Sequence, residues 1–178
     1  MTVFQRLFRV RPARAAGLAL YASAARQSRQ PAFYRSLGVA DSGEGRFELL
    51  TLHVALLVLR LRGCGEAAAE TSQHLFDAFV SALDGALREM GVGDLVVGKR
   101  MRKLGEVFYG RVRALDEAMG ETPDRQALQA LLARTVLEGR VGDASRLCDY
   151  ALASLDGLRR LDLGELLEGR TVWPEVIT

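Results

Sequence analysis

The residues RFELLTLHVALLVLRLR, 46–62, form the most apolar segment of this 178-residue chain. No charged side chain stands between Glu48 and Arg60, and apolar residues would cover almost every face of a helix formed here. That pattern is typical of a helix enclosed on all sides by other helices. The uncharged run LLTLHVALLVL is too short to cross a membrane, which needs about 20 apolar residues. The segment therefore predicts the central helix of a helical bundle.

Two long amphipathic helices are predicted on its carboxyl side. In SQHLFDAFVSALDGALREM, 72–90, apolar residues recur every three or four positions: Leu75, Phe76, Phe79, Val80, Leu83, Leu87 and Met90. Gly91 can close this helix, and Asp94 can cap the next one. The second helix carries a similar stripe, formed by Val97, Met101, Leu104, Phe108, Val112, Leu115 and Met119. Both stripes are predicted to face the core.

The amino end of the chain combines helical pattern with concentrated positive charge. A helix should run over about 12–30, where Pro31 ends it, and AFYRSL then makes a short turn of helix. Every charged side chain from Arg6 to Arg35 is an arginine. Residues 1–11 are therefore predicted to form a basic arm suited to anionic lipid or RNA. The run AAGLALYASAA also has features of a signal peptide or an organellar transit peptide, although it lacks a strong Leu and Ile core.

Residues 120–178 predict further helices. Thr122-Pro123 is a typical helix start. In the helix that follows, four apolar side chains are predicted to face the core: Leu128, Leu131, Leu132 and Val136. The glycines at 139–142 interrupt the pattern, Asp143 opens another helix, and one short helical turn precedes Trp173. No stretch alternates as a strand would. The predicted fold class is all-α, an irregular bundle of about six to eight helices in a single domain.

The stretch GVGDLVVGKR, 91–100, resembles a phosphate-binding loop because Gly93 and Gly98-Lys99 have the required spacing. Such a loop needs a Ser or Thr after the lysine to hold magnesium, and a buried strand before the first glycine. This chain has Arg100 at that position and a predicted helix before the glycine. We therefore do not expect nucleotide binding.

Few residues of the chain suit catalysis. The two histidines, His53 and His74, have no cysteine or carboxylate at metal-ligand spacing. The two cysteines, Cys64 and Cys148, can form at most one disulfide, and their scarcity fits a reducing compartment. We expect no catalytic residue, no metal site and no cofactor, so the chain is predicted not to be an enzyme. His53 is expected to be a hydrogen-bonded core residue, with haem handling as a weaker alternative.

Basic residues dominate the second long helix. It contains Lys99, Arg100, Arg102, Lys103, Arg111 and Arg113, and Glu106 is the only acid between Lys99 and Arg113. Arg111 lies inside the apolar stripe, where a guanidinium needs a carboxylate, a backbone carbonyl or a partner protein. Gly98, Gly105 and Gly110 would permit another backbone to approach closely, either within the chain or from a partner.

The string LREMGVGDLVVGKRMRKLGEVFYGR, 87–111, resembles the signature of the ubiquinol-cytochrome c chaperone family. Supporting strings stand upstream at 19–39 and 45–61, so the resemblance covers roughly 18–119, with Gly98 where the pattern has proline. It implies an assembly factor that binds newly made cytochrome b before that subunit joins the respiratory complex. For mitochondrial members it further implies a small helper protein and contact with the ribosome near its exit tunnel.

The resemblance and the basic helix together place the expected client site. The predicted client-binding residues are Gly91, Gly93, Asp94, Lys99, Arg100, Met101, Lys103, Phe108, Tyr109 and Arg111. Residues predicted to be structural or binding are Arg46, Glu48 and His53. The abundance of Ala, Gly and Arg suggests a bacterial source, hence the cytoplasmic face of an inner membrane with anionic lipid, the mitochondrial matrix side being the alternative. A rival interpretation is a ribosome- or nucleic-acid-associated module, although no RNA-binding motif or specific nucleic-acid site is recognisable.

Overall fold

The computed structural model describes residues 12–89, 94–140 and 144–176, with the backbone alone at 94–100, and the regular structure in these ranges is helical. The helices are α1 (Pro12–Gln27), α2 (Pro31–Ser36), α3 (Gly43–Leu61), α4 (Glu66–Glu89), α5 (Asp94–Ala118), α6 (Arg125–Thr135), α7 (Ala144–Arg160) and α8 (Leu163–Leu167). The predicted all-α bundle in a single domain is confirmed. None of the described helices is long and apolar enough to cross a bilayer.

Helix α3 is the centre of the bundle, as its sequence predicts. It packs against α1, α4, α5 and α7. Its start is fixed by Ser42, whose hydroxyl accepts a hydrogen bond from the Gly45 amide at 3.0 Å. The residues with no solvent exposure on this helix are Leu49, His53, Val54, Ala55, Leu56 and Leu57. Because enclosing each large aliphatic side chain stabilises the fold by about 1.5–3 kcal/mol, α3 supplies much of the core.

The end of α7 is fastened to α3 through Arg60. Its Nε donates to the Leu158 carbonyl at 2.8 Å and its Nη2 to the Leu161 carbonyl at 3.1 Å. The last carbonyls of a helix have no hydrogen-bond partner within the helix. A cation there also interacts favourably with the partial negative charge at the carboxyl end of the helix dipole. Arg60 therefore links the last turn of α3 to the last turn of α7.

Helices α1 and α4 pack closely against each other at Gly17. A Cβ atom added at Gly17 would lie 2.7 Å from the Leu75 amide nitrogen and 2.7 Å from the His74 Cβ. Added at Gly105 or Gly110 of α5, it would meet nothing within 4 Å. Gly105 and Gly110 are thus not explained by close packing inside the chain, one of the two alternatives that their sequence pattern allowed, while the surroundings of Gly98 lie outside the described residues.

Two predicted helix boundaries differ from the structure. Helix α1 ends at Gln27 rather than residue 30, because the Arg29 and Gln30 amides donate to carbonyls three residues back, as in a 3₁₀ turn, instead of four. Helix α6 does not start at Thr122-Pro123. Asp124 caps it instead, since its Oδ1 accepts from the Ala127 amide at 2.9 Å and its charge suits a helix start.

Other predicted boundary features and the basic arm lie outside the described residues. These are the arm at 1–11, the cap roles of Gly91 and Asp143, and the side chain of Asp94. Both cysteines are free, with Cys148 in the core and Cys64 partly buried.

The apolar stripes of α4 and α5 extend beyond the core, contrary to the prediction that both face it along their whole length. Among the described residues, the buried positions of α4 stop at Phe79, and those of α5 begin at Phe108. The apolar residues beyond this level are only half-buried: Val80, Leu83, Leu87, Met101, Leu104 and Val107. We call this part, residues 80–89 and 101–107, the α4–α5 hairpin. It presents partly covered apolar surface.

Replacing Gly17 with alanine should destabilise the protein, because the new methyl group meets the backbone of α4 and cannot be relieved by a rotamer change. We expect a loss of about 1–3 kcal/mol in the free energy of unfolding. The matched variant Gly105→Ala should instead gain about 0.5–1 kcal/mol, since alanine favours a helix and has open space there. Urea unfolding followed by circular dichroism measures both values. Equal effects of the two substitutions would contradict the packing described at Gly17.

Candidate binding groove

A groove opens at the base of the α4–α5 hairpin, where the end of α3 meets α4 and α5. Its volume is about 230 Å³. The apolar wall consists of Val58, Leu61, Ala69, Phe76 and Phe108, and the rim consists of Arg62, Gly63, Ser72, Gln73 and Tyr109. We call this feature the basal groove. It combines an apolar wall with a largely polar rim, which is the composition expected of a ligand or peptide site.

Aromatic rings form one wall of the basal groove. The Phe76 ring centroid lies 5.0 Å from that of Phe108 and 5.2 Å from that of Tyr109, and the Phe108 and Tyr109 rings meet edge to face at 5.5 Å. Phe79 continues the cluster into the core, 5.4 Å from Phe108. Tyr109 itself is 53% exposed, among the few large apolar side chains in the described ranges that reach solvent to this extent. An exposed aromatic residue beside an apolar groove is typical of a protein-binding surface.

Electrostatic character at the groove comes from Arg62. Its Nη2 donates to Asp116 Oδ2 at 2.6 Å, and the side chain remains 58% exposed. Further along α5, Arg102 and Lys103 are exposed on the hairpin. The rim therefore carries a cation next to apolar surface, whereas on the hairpin Arg88, Arg102 and Lys103 are matched by Asp84, Glu89 and Glu106.

The structure separates the residues that the sequence analysis grouped as client-binding. Phe108 and Tyr109 line the basal groove. Met101 and Lys103 lie about two turns away on the hairpin, half-buried and exposed respectively. Gly91 and Gly93, and the side chains of Asp94, Lys99 and Arg100, lie outside what the structure describes.

Arg111 does not reach the basal groove, because it binds Glu48 of α3. Its Nη2 donates to Glu48 Oε1 at 3.1 Å and its Nε to Oε2 at 3.3 Å, a two-point ion pair. The Glu48 side chain is only 10% exposed and that of Arg111 is 29% exposed. The sequence required a partner for Arg111 within or outside the chain, and the structure supplies it within the chain.

A small cavity of about 10 Å³ lies beside this ion pair. It is lined by Thr51 among others, and the Thr51 hydroxyl is buried without a hydrogen-bond partner. The volume is close to that needed for a single water molecule, which would satisfy the hydroxyl. This cavity is too small for any part of a client, so it belongs to the interior rather than to a binding site.

His53 is a core residue, as expected. It is fully buried, its Nδ1 lies 2.7 Å from the Leu49 carbonyl oxygen, and its Nε2 lies 2.8 Å from the Tyr150 hydroxyl. Since a carbonyl only accepts, Nδ1 carries the proton and Nε2 accepts from Tyr150. Gln27 Nε2 donates to the same hydroxyl oxygen at 3.0 Å, and the Trp173 ring packs against the imidazole at 5.0 Å. Neither ring nitrogen is free to hold haem iron.

Burial keeps both members of this pair uncharged. It lowers the pKa of His53 to about 4, against a smaller opposing effect of the hydrogen bond to Leu49, and it raises the pKa of Tyr150 to about 12. At neutral pH the imidazole and the phenol are therefore both neutral. The arrangement is one of packing and hydrogen bonding rather than acid–base chemistry.

Arg46, the remaining predicted residue, lies at the start of α3. Its Nε donates to Asp41 Oδ1 at 2.6 Å, and this hydrogen bond lowers the pKa of the Asp41 carboxyl. Its guanidinium carbon also stands 5.8 Å from the centre of the Tyr34 ring. These contacts are local and exposed, and none of them reaches the basal groove.

Sequence reasoning did not single out three residues of the groove rim: Arg62, Gly63 and Gln73. Arg62 and Gly63 follow the end of α3 and Gln73 lies within α4, and their meeting depends on how α3, α4 and α5 cross. The charged residue next to the glycine turn at 63–65 was the one signal available. Phe76 had been assigned to the core stripe, and it does contact the core while also facing the groove.

Comparison with known proteins gives consistent matches. A family model described as Ubiquinol-cytochrome C chaperone matches residues 35–173, including the last third of the chain, which the sequence resemblance had not covered. The Xenopus laevis protein named ubiquinol-cytochrome-c reductase complex assembly factor 1 is 25% identical over 167 residues, 91% of this chain and 82% of that protein. The crystal structure of the Cbp3 homolog from Brucella abortus is 35% identical, with a TM-score of 0.86 and 98% of both chains covered.

Replacing Arg111 with alanine should destabilise the fold, because it leaves the nearly buried Glu48 carboxylate without its cation. We expect a loss of about 3 kcal/mol in the free energy of unfolding by urea titration. Arg113→Ala is the matched control, since Arg113 pairs with Glu117 on the exposed face of the same helix and should matter little. Adding Glu48→Gln to Arg111→Ala should recover part of the loss. Equal destabilisation by the two arginine variants would contradict a structural role for the Glu48–Arg111 pair.

Lowering the pH should destabilise the protein through His53. The unfolded chain binds a proton at this residue below about pH 6.5, whereas the folded protein does so only near pH 4. The stability that the neutral imidazole contributes is therefore lost as the pH falls through this window, by about 2 kcal/mol between pH 7 and pH 5. Unfolding titrations at both pH values should show a smaller pH effect in His53→Gln than in the natural protein. His74→Gln should keep the full effect; if it removed the pH dependence instead, His53 would not be its source.

Proposed function

Because the chain belongs to the ubiquinol-cytochrome C chaperone family, we propose that it binds newly made cytochrome b and holds it for assembly into the ubiquinol-cytochrome c reductase complex. The family consists of chaperones for the assembly of this complex. Membership sets the pathway that the chain serves. The identity of the client and the non-enzymatic mode of action are our proposal, motivated by the absence of a catalytic constellation from the sequence.

The basal groove with the exposed Tyr109 ring is the observation that supports client binding. A chaperone needs a surface that is apolar enough to hold an unassembled segment and that its own fold does not cover. Tyr109, Phe108 and Phe76 provide such a surface. Phe108 and Tyr109 lie within the string at 87–111 that resembles the family signature, and Phe76 packs against both. Of the residues predicted to bind the client, Phe108 and Tyr109 line this groove.

The α4–α5 hairpin extends this surface away from the core. Its half-buried apolar residues continue from the groove along both helices, and Arg102 and Lys103 flank them on α5. The apolar seam suits one helical turn or loop of a membrane-protein client, in the manner of a helix laid into a groove. Positive charge would guide the chain to the client and would contribute less to the strength of binding.

The place of action follows from the client. Cytochrome b is made at a membrane, so we propose that the chain works at the cytoplasmic face of a bacterial inner membrane, with peripheral contact to anionic lipid, the alternative being the mitochondrial matrix side. A small helper protein and the ribosome exit region are further partners implied by the family resemblance. The basic arm at 1–11 and the basic residues of α5 are the candidate contacts for such surfaces.

Capture of cytochrome b from gently solubilised membranes tests the proposal. A tagged chain should enrich cytochrome b without the other complex subunits, as identified by mass spectrometry. Tyr109→Ala should reduce the captured amount about tenfold, because it removes the exposed ring of the groove. Leu18→Ala is the control, since Leu18 is 47% exposed on α1, away from the groove. Enrichment of ribosomal proteins or RNA with no cytochrome b would instead favour the nucleic-acid-associated interpretation.

A further inference from the structure

We propose that the basal groove recognises its client by one aromatic side chain, which enters the groove, and by a carboxylate within about one turn of it, which binds Arg62. This inference rests on the proposed function and specifies what the groove selects. It assigns to Arg62, Tyr109 and Phe76 the role of specificity-determining contacts.

The size of the groove favours a single anchor residue. Its volume of about 230 Å³ lies below the roughly 300–1,000 Å³ typical of sites for whole small-molecule ligands. Val58, Leu61 and Phe108 of the apolar wall line it with apolar atoms. One large apolar side chain of a protein segment can be enclosed there, while the backbone of the segment remains at the polar rim beside Ser72 and Gln73.

The rings of the wall favour an aromatic anchor over an aliphatic one. Phe76, Phe108 and Tyr109 stand 5.0–5.5 Å apart, with interplanar angles from 42° to 81°. Such tilted and edge-to-face packing presents ring edges and faces together, and a further aromatic ring at the same spacing continues the pattern. Tyr109, half-exposed, is placed to cover the ring that enters.

The charge at the rim favours an acidic neighbour for the anchor. Arg62 is the sole charged side chain among the described residues that line the groove. Asp116 binds one of its terminal nitrogens, and the guanidinium has further N–H donors in its plane. A client carboxylate can therefore bind another edge of the guanidinium.

Binding of matched synthetic peptides tests this recognition. The fluorescein-labelled peptides would be identical except at two positions: a central Phe or Ala, and a Glu or Gln one helical turn later. Fluorescence anisotropy would measure the Kd of each peptide for the full chain. Replacing the peptide Phe with Ala should weaken binding about tenfold, as for a buried anchor. Replacing its Glu with Gln should weaken binding about threefold, and this second effect should vanish in the Arg62→Gln protein.

Arg113→Gln is the matched control, because it also removes an arginine that pairs with a nearby acid but lies outside the groove lining. It should leave both peptide effects intact. Peptides that bind equally with Phe or Ala, or a Glu effect that persists in Arg62→Gln, would overturn the inference. Cytochrome b capture combined with no measurable peptide binding would also overturn it, while leaving the proposed function standing. Selective peptide binding without cytochrome b capture would support the groove chemistry and reject that client.

Discussion

A polar group taken out of water needs a partner, and three polar side chains of helix α3 find theirs elsewhere in the bundle. Glu48, His53 and Arg60 each form hydrogen bonds with a different part of the bundle. The partners are the Arg111 guanidinium on α5, the Tyr150 hydroxyl on α7, and the carbonyls of Leu158 and Leu161 at the end of α7. Hydrophobic burial is non-directional. The hydrogen bonds of these three side chains are directional, and they help to fix the positions of α5 and α7 along the axis of α3.

The position of the basal groove follows from one of these bonds. Arg111 and Tyr109 are two residues apart on α5, so their side chains point about 200° apart around the helix axis. Because Arg111 faces Glu48 in the interior, Tyr109 must face outward, next to the end of α3. The ion pair that holds α5 to the core therefore also sets the exposure of the ring that we assign to client binding.

The α4–α5 hairpin shows why an apolar stripe is ambiguous. Leu87 and Leu104 have the helical spacing of core residues, and the sequence analysis assigned them to the core for that reason. In the structure they are only half-buried, since the core ends near Phe79 and Phe108. The same pattern serves a core and a partner-binding face, because both require apolar side chains on one side of a helix. Only the position of the other helices distinguishes the two.

Local pattern was enough to identify the helices, the central place of α3, the core role of His53 and the family resemblance, because periodicity and hydrophobicity are properties of neighbouring residues. The partner of Arg111, the cap at Asp124 and the meeting of Arg62 with the aromatic wall were not readable in this way. The first and last join residues distant in the chain, and their contacts depend on how helices cross. The cap is local, yet Thr122 and Asp124 are both suitable cap residues, and the folded loop decides which of them meets the helix end. Only the tertiary structure shows that the helix predicted to bind a client borders a groove with an aromatic wall and an arginine at its rim.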